Sequence, residues 1–106
     1  MDDIMWSKTE KEVARQAFKR AYERECKELS NKVKDMANTA INPDDIWELH
    51  DFLTEKRKEI DEKYDYRYSV LILVFGRLLR EGWIELDNLE GLDEDKITKI
   101  KNIADL

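Results

Sequence analysis

A chain of 106 residues has room for one folded domain and not two. Apolar and charged residues each make up 42%, with three glycines and one proline, a balance that reads as a helix-rich soluble protein. Net charge is −6 and the basic residues are interleaved with acidic ones, so no basic arm or patch is offered to nucleic acid. The acidic N-terminus lacks an apolar core segment, and no signal peptide is expected. The longest apolar run, Val70 to Phe75, is far too short to span a bilayer, so no membrane insertion is expected. Cys26 is the only cysteine, which excludes an intramolecular disulfide and suits a reducing cytoplasm.

In chain order, residues 1–6 read as a loose tail. Ser7-Lys-Thr-Glu10 matches a capping box, with Ser7 as N-cap and Glu10 reaching back to it. Neither Gly nor Pro follows until Pro43. Apolar residues recur at Ala14, Phe18, Tyr22, Cys26, Leu29, Val33, Met36 and Ala40, all in steps of three or four. That pattern predicts one long amphipathic helix, or two collinear ones broken near Ser30-Asn31 or Asn38-Thr39. Pro43 ends it, because the residue before a proline avoids the α region.

Asn42 to Tyr66 is the stretch that organises the rest. Asn42 suits an N-cap, Pro43 sits at the first helical position, and Asp44 and Asp45 place negative charge at the positive end of the helix dipole. Ile46, Leu49, Leu53, Ile60 and Tyr64 fall on one stripe, which is a burial face. Arg57 sits inside that stripe. Trp47, His50, Asp51, Thr54 and Asp61 flank it. One edge of the helix thus carries a large aromatic, the only histidine, a carboxylate and a guanidinium. This is the candidate site. The residues alone are better described as a solvated helix face with a hydrogen-bonded histidine, the commoner meaning of such a cluster.

Length argues for a second copy. A first helix of about 33 residues would be roughly 50 Å long, whereas a compact domain of this size has a radius of gyration of about 13 Å. One chain cannot cover such a stripe. The expectation is a homodimer in which the long helices of two chains form an antiparallel bundle, packed through Leu29, Val33, Met36, Ile46, Leu49 and Leu53. The expected layout is a single all-α domain: a tail over 1–6, a dimerisation stalk over 7–65 and a helical head over 66–106.

In the head, Tyr68, Leu71, Ile72, Phe75, Leu78 and Leu79 follow helical spacing until Gly82 stops the helix, although the VLILVF core would pass for a strand by composition. Val70, Leu73 and Val74 make it apolar on its other sides too, as befits a buried central helix. Two short helices are expected to close the head, Glu85–Glu90 and one from the N-cap Asp93 to about Ala104, with Ile97, Ile100, Ile103 and Ala104 facing inward.

Catalytic motifs are absent: there is no glycine-rich phosphate loop, no nucleophile elbow and no HExxH. Glu48, His50 and Asp51 make a poor metal set, because a lone histidine has no second His or Cys at ligand spacing and adjacent helical residues diverge. Cys26 reads as a small buried hydrophobe. The chain is expected to be no enzyme and to need no cofactor or metal.

The run DDIWELHDFLTEKRKEIDEKYDYRYSVLILVFGRLLREG resembles the fluorescence recovery protein family of cyanobacteria. The likeness extends back through Trp6-Ser7 and Phe18–Glu25, and forward to Asp95-Lys96 and Lys99–Lys101. Its most specific part is Trp47-x-Leu49-His50-Asp51-Phe52-Leu53-x-x-Lys56-Arg57-x-Glu59-Ile60-Asp61. The first helix is richer in Lys and Glu than the family pattern, Cys26 is not a family mark, and Leu73 stands where the family carries an aromatic. The resemblance implies an all-helical homodimer that binds the orange carotenoid protein through that partner's C-terminal domain. It would act on the light-activated red form, speed its return to the orange form and so end quenching of the phycobilisome antenna, without covalent chemistry. The family's partner-binding patch falls on Trp47, His50, Asp51 and Arg57, and its head lysine on Lys99. Such a protein would work at the cytoplasmic side of the thylakoid. The alternative is a homologous dimeric adaptor for another stress or regulatory protein in a host without phycobilisomes.

Overall fold

The computed structural model describes residues 5–106, which form four α-helices and one 3-10 turn: α1 (Lys8–Asn38), α2 (Pro43–Lys63), α3 (Leu71–Glu81), the 3-10 turn Leu86–Leu89 and α4 (Glu94–Ala104). The all-α class expected from the sequence is what is found. The chain is elongated, 53 × 27 × 25 Å. Its radius of gyration is 16.8 Å, against about 13 Å for a compact domain of similar length.

α1 begins with the reciprocal cap the sequence predicts: Glu10 N donates to Ser7 Oγ (3.1 Å) and Ser7 N donates to Glu10 Oε1 (3.0 Å). It then runs unbroken for 31 residues, through Ser30-Asn31. Its buried line is not the expected stripe. Glu10, Ala14, Ala17, Ala21 and Glu25 are buried, whereas Phe18 and Cys26 are half-buried and Tyr22 is exposed. The three alanines join Leu71, Phe75, Leu78, Ile84, Leu89 and Ile100 in one core. Small side chains let the helix backbone lie close to the head, and the bulkier Phe18 and Tyr22 sit at the margin. Beyond Glu25 no residue of α1 is fully buried. The first half of α1 is therefore part of the head's core, and residue 66 does not separate stalk from head as expected.

The expected loose tail over residues 1–6 also needs correction. Trp6 is only 7% exposed and belongs to the core, with Lys96 Nζ 5.1 Å from its ring centroid and the Tyr68 ring 5.9 Å away. Packing the indole there removes a large apolar area from water. Residues 1–4 of that expected tail lie outside the described residues.

α2 starts at Pro43, but its cap works in reverse. The Asn42 side chain makes no cap bond; Asp45 Oδ2 instead accepts from Ile41 N (2.8 Å) and Asn42 N (2.9 Å). These two bonds hold the Asp45 carboxyl below its ordinary range. α2 ends at Lys63 and α3 starts at Leu71, so the expected helical phase through Tyr66 and Tyr68 is broken. Tertiary aromatic packing overrides local propensity here. The Tyr64 ring sits edge-on to Phe18 (5.4 Å) and Tyr22 (5.2 Å), and Tyr66 sits edge-on to Phe18 (4.8 Å). A non-helical Tyr64–Val70 segment lays these rings along α1.

In the head, α3 buries Leu71, Ile72, Val74, Phe75, Gly76 and Leu78. Leu73 is exposed, so the helix is not covered on every side as expected. Gly82 caps α3 with φ +83°, the left-handed conformation glycine adopts without penalty. The expected short helix over Glu85–Glu90 is the 3-10 turn. Asp93 caps α4 as expected, Lys96 N donating to Asp93 Oδ1 (2.8 Å), and the helix buries Ile100 completely. Where α3 and α4 cross, a Cβ on Gly76 would lie 2.3 Å from Ile103 Cγ2 and 2.6 Å from Ile103 Cβ.

Two ion clusters that local pattern does not announce tie these parts together. Lys96 Nζ donates to Glu10 Oε1 (3.1 Å), Glu10 Oε2 (3.0 Å) and Asp93 Oδ2 (3.1 Å), joining α4 to the start of α1. Lys63 Nζ donates to Glu25 Oε1 (2.9 Å), Glu25 Oε2 (2.7 Å) and Glu81 Oε1 (2.7 Å), joining α2 to α1 and α3. Burial pushes the Glu10 carboxyl up, but bonds from Ser7 N, Asp93 N and Lys96 outweigh it and hold the group down at about 2. Glu81 behaves alike: burial pushes it up, while Lys63, Arg77 and Trp83 together hold it down at about 2.

Two outcomes follow. Gly76→Ala forces Ile103 off its packing and is expected to destabilise the fold by about 1–3 kcal/mol in denaturant titration; an unchanged midpoint would show that the α3–α4 crossing is loose. Both carboxyls titrate lower folded than unfolded, where the ordinary value is 4.5. Their contribution is complete above that value and disappears as pH falls toward about 2. Thermal midpoints should therefore decline through this window, and less steeply in Glu10→Gln; parallel slopes would contradict the linkage.

Candidate functional site

Trp47, His50, Asp51, Thr54, Arg57 and Asp61 recur at intervals of one, three or four along α2, so they form one outward row about 21 Å long. The helix is almost unsupported here. From Asn42 to Glu59 only Asp45, Leu49, Phe52 and Lys56 are half-buried, and the first fully buried residue is Ile60. The row is therefore displayed to solvent on a stiff backbone.

Trp47 is 63% exposed, and its ring meets that of His50 edge-on with centroids 6.3 Å apart. His50 Nδ1 and Asp51 Oδ1 are 3.5 Å apart, at the outer limit of a hydrogen bond. The Asp51 side chain is 81% exposed. Arg57 Nε lies 3.6 Å from Asp61 Oδ2 one helical turn on, and its side chain is 83% exposed. Exposed ion pairs of this kind are worth about 0–1 kcal/mol, so the guanidinium can exchange Asp61 for a foreign carboxylate at little cost. Thr54 is spent locally, its Oγ1 donating to His50 O (3.0 Å).

The structure thus brings Trp47, His50, Asp51 and Arg57 onto one face and leaves their polar groups weakly engaged. Lys99 is elsewhere, on α4, half-exposed and paired with Asp95 Oδ2 at 3.0 Å. Ile46 and Leu53 are exposed and Leu49, Leu29, Val33 and Met36 half-buried. An open groove between α1 and α2 is lined by Leu29, Phe52, Ile60 and Trp83. Cys26 is half-buried rather than fully buried as expected. Among the described residues no group of three or more His, Cys, Asp or Glu could hold a metal ion, and no helix is long and apolar enough to cross a membrane.

Sequence reasoning missed Lys63, Glu25 and Glu81, which anchor the inner end of α2. A signal was present: Lys63 follows Ile60 by three residues and so falls on the burial stripe, where a charge needs a partner.

Residues 6–104 match the family described as photoprotection regulator fluorescence recovery protein. The Fluorescence recovery protein of Synechocystis sp. is 46% identical over 101 residues, covering 95% of this chain and 93% of the relative. The solved structure of the Fremyella diplosiphon Fluorescence Recovery Protein superposes with a TM-score of 0.92 at 52% identity, covering 96% of this chain and all of that one. The solved Synechocystis structure gives a TM-score of 0.92 at 46% identity with the same coverage. With sequence likeness and backbone likeness both spanning nearly the whole chain, it belongs to the fluorescence recovery protein family of photoprotection regulators.

Proposed function

We propose that this chain binds the light-activated red form of the orange carotenoid protein and accelerates its return to the orange form, ending quenching of phycobilisomes. The observation that carries this reading is the exposed α2 row, in which an indole, a carboxylate and a guanidinium stand in water without strong partners. Such groups suit a protein interface better than a reaction centre. Trp47 supplies a stiff aromatic anchor. Asp51 and Arg57 set register and encounter rate by charge. His50 flanks the indole, and Lys99 on the head gives a second point of contact.

The mechanism is restriction of a search. Domains of the red partner that have come apart must meet again. A rigid platform that grips one domain, its C-terminal one, and guides the other raises their effective concentration. To turn over, the platform must hold the red form more tightly than the orange form. No bond is made or broken, and the work is done at the cytoplasmic side of the thylakoid.

The same reading makes the chain a homodimer. Ile46 and Leu53 are exposed, and Leu29, Val33, Met36 and Leu49 are only half-covered within one chain. A second copy crossing antiparallel would bury this face, at about 25 cal/mol for each Å² of apolar surface.

Mixing the chain with photoactivated orange carotenoid protein and following colour in the dark tests the proposal. Recovery should be faster than without it, and a rate the chain leaves unchanged would overturn the reading and favour an adaptor for another partner. Trp47→Ala and Asp51→Ala should weaken binding, Trp47→Ala by about 2 kcal/mol, or roughly thirtyfold. Arg57→Lys should also slow recovery, because an ammonium cannot form a bidentate fork; an unaltered rate removes Arg57 from the site. Ile46→Glu should give monomers by light scattering, since it leaves a charge in an apolar seam.

A further inference from the structure

Every residue in the exposed row depends on how α2 is aimed at the head, and within its own chain α2 is held firmly at only one place. Four side chains between Asn42 and Glu59 are half-buried and none is fully buried. At the last turn the situation reverses. Ile60 and Lys63 are both buried, and the Lys63 ammonium is 4% exposed. Three short bonds reach it from two other helices, two from Glu25 of α1 and one from Glu81, the last residue of α3. A single nitrogen is thus the meeting point of three helices.

The acceptors are themselves fixed. Glu25 Oε1 also accepts from Tyr64 OH (2.7 Å). Glu81 accepts from Arg77 Nε (2.8 Å) and from Trp83 Nε1 (3.1 Å). Arg24 Nη1 closes the surround by donating to Trp83 O (3.2 Å). The two carboxylates are matched by the two cations that bond them, Lys63 and Arg77, and Arg24 adds a positive charge at the edge. An apolar residue at position 63 would fill the space without giving it a direction. Buried ion pairs often add little net stability over such a residue, while they do discriminate one geometry from others.

Leverage makes this matter. Trp47 is sixteen residues from Lys63, about 24 Å along the helix. A tilt of about 10° at the inner end moves Trp47 by roughly 4 Å at that length. That is enough to misplace it against a surface that also engages the head.

We infer that Lys63, clamped between Glu25 and Glu81, is a positioning residue: it sets the angle of α2 to the head, and so the spacing between the Trp47–Arg57 row and Lys99. Its bearing on recovery rests on the partner reading above; its bearing on geometry does not. Removing the clamp leaves α2 helical but releases its inner end from the head. Only part of the population then presents the row correctly, and apparent affinity falls by that fraction.

The experiment measures both. Spin labels at Glu48→Cys and Asn102→Cys, in a Cys26→Ser background and diluted with unlabelled protein, report the distance from α2 to α4 within one chain. The parent should give one narrow distance. Lys63→Met and Glu81→Gln should each give a broader distribution at unchanged helix content by circular dichroism. In dark recovery with the orange carotenoid protein, the concentration for half-maximal effect should rise about tenfold if a tenth of the molecules remain competent, while the saturating rate stays close to the parent's. A distribution as narrow as the parent's in Lys63→Met overturns the inference. Should Lys63→Met fail to fold, Glu81→Gln decides in its place, because Glu81 is partly exposed and its loss still leaves the Lys63–Glu25 pair. If the parent does not speed recovery at all, the partner reading fails, and the distances still decide the clamp.

Discussion

A helix of 31 residues is longer than any core this chain can wrap around it. The structure answers by treating α1 as two halves. The first is lined with Ala14, Ala17 and Ala21 and disappears into the head; the second has no fully buried residue. Small side chains allow the close approach in one half. In the other, Leu29, Val33 and Met36 are left half-covered. The elongated shape, the thinly supported α2 and the exposed row all descend from this mismatch between rod and core.

The junction between the halves is polar. Glu25 is the last buried residue of α1, and it receives Lys63 there. At the other end Glu10 is the first, and it receives Lys96. The buried part of the rod is therefore bracketed by two carboxylates, each bound to a lysine from another helix. Desolvated charges of this sort are costly unless every lone pair is met, and here Glu10 also accepts from the backbone amides of Ser7 and Asp93, and Glu25 from the phenol of Tyr64. Such brackets specify where the rod starts and stops inside the head. An apolar core would tolerate a shift by a turn more readily.

On the outward side of α2 the economy is opposite. Arg57, Asp61, His50 and Asp51 stay hydrated and lightly paired, and Trp47 lies bare. Charged groups left this way contribute almost nothing to the monomer's stability. The family to which the chain belongs regulates photoprotection.

Several features were legible in the residues because their causes are local. The Ser7–Glu10 cap, Pro43 as the first residue of α2, Gly82 as a stop, Asp93 as the start of α4 and the outward row itself each depend on contacts within about one or two helical turns. Helical periodicity alone carried the all-α class. Tertiary contact decided the rest. Whether Trp6 is tail or core depends on Lys96 and Tyr68, far away in sequence. Whether Tyr64–Val70 is helical depends on Phe18 and Tyr22 being there to receive the rings. Which face of α1 is buried turned on alanines, whose small size has no amphipathic signature yet permits the closest packing. And the charges at positions 25, 63 and 81 become a clamp only when three helices converge: local spacing shows that Lys63 needs a partner, but not which residue 38 positions away supplies it.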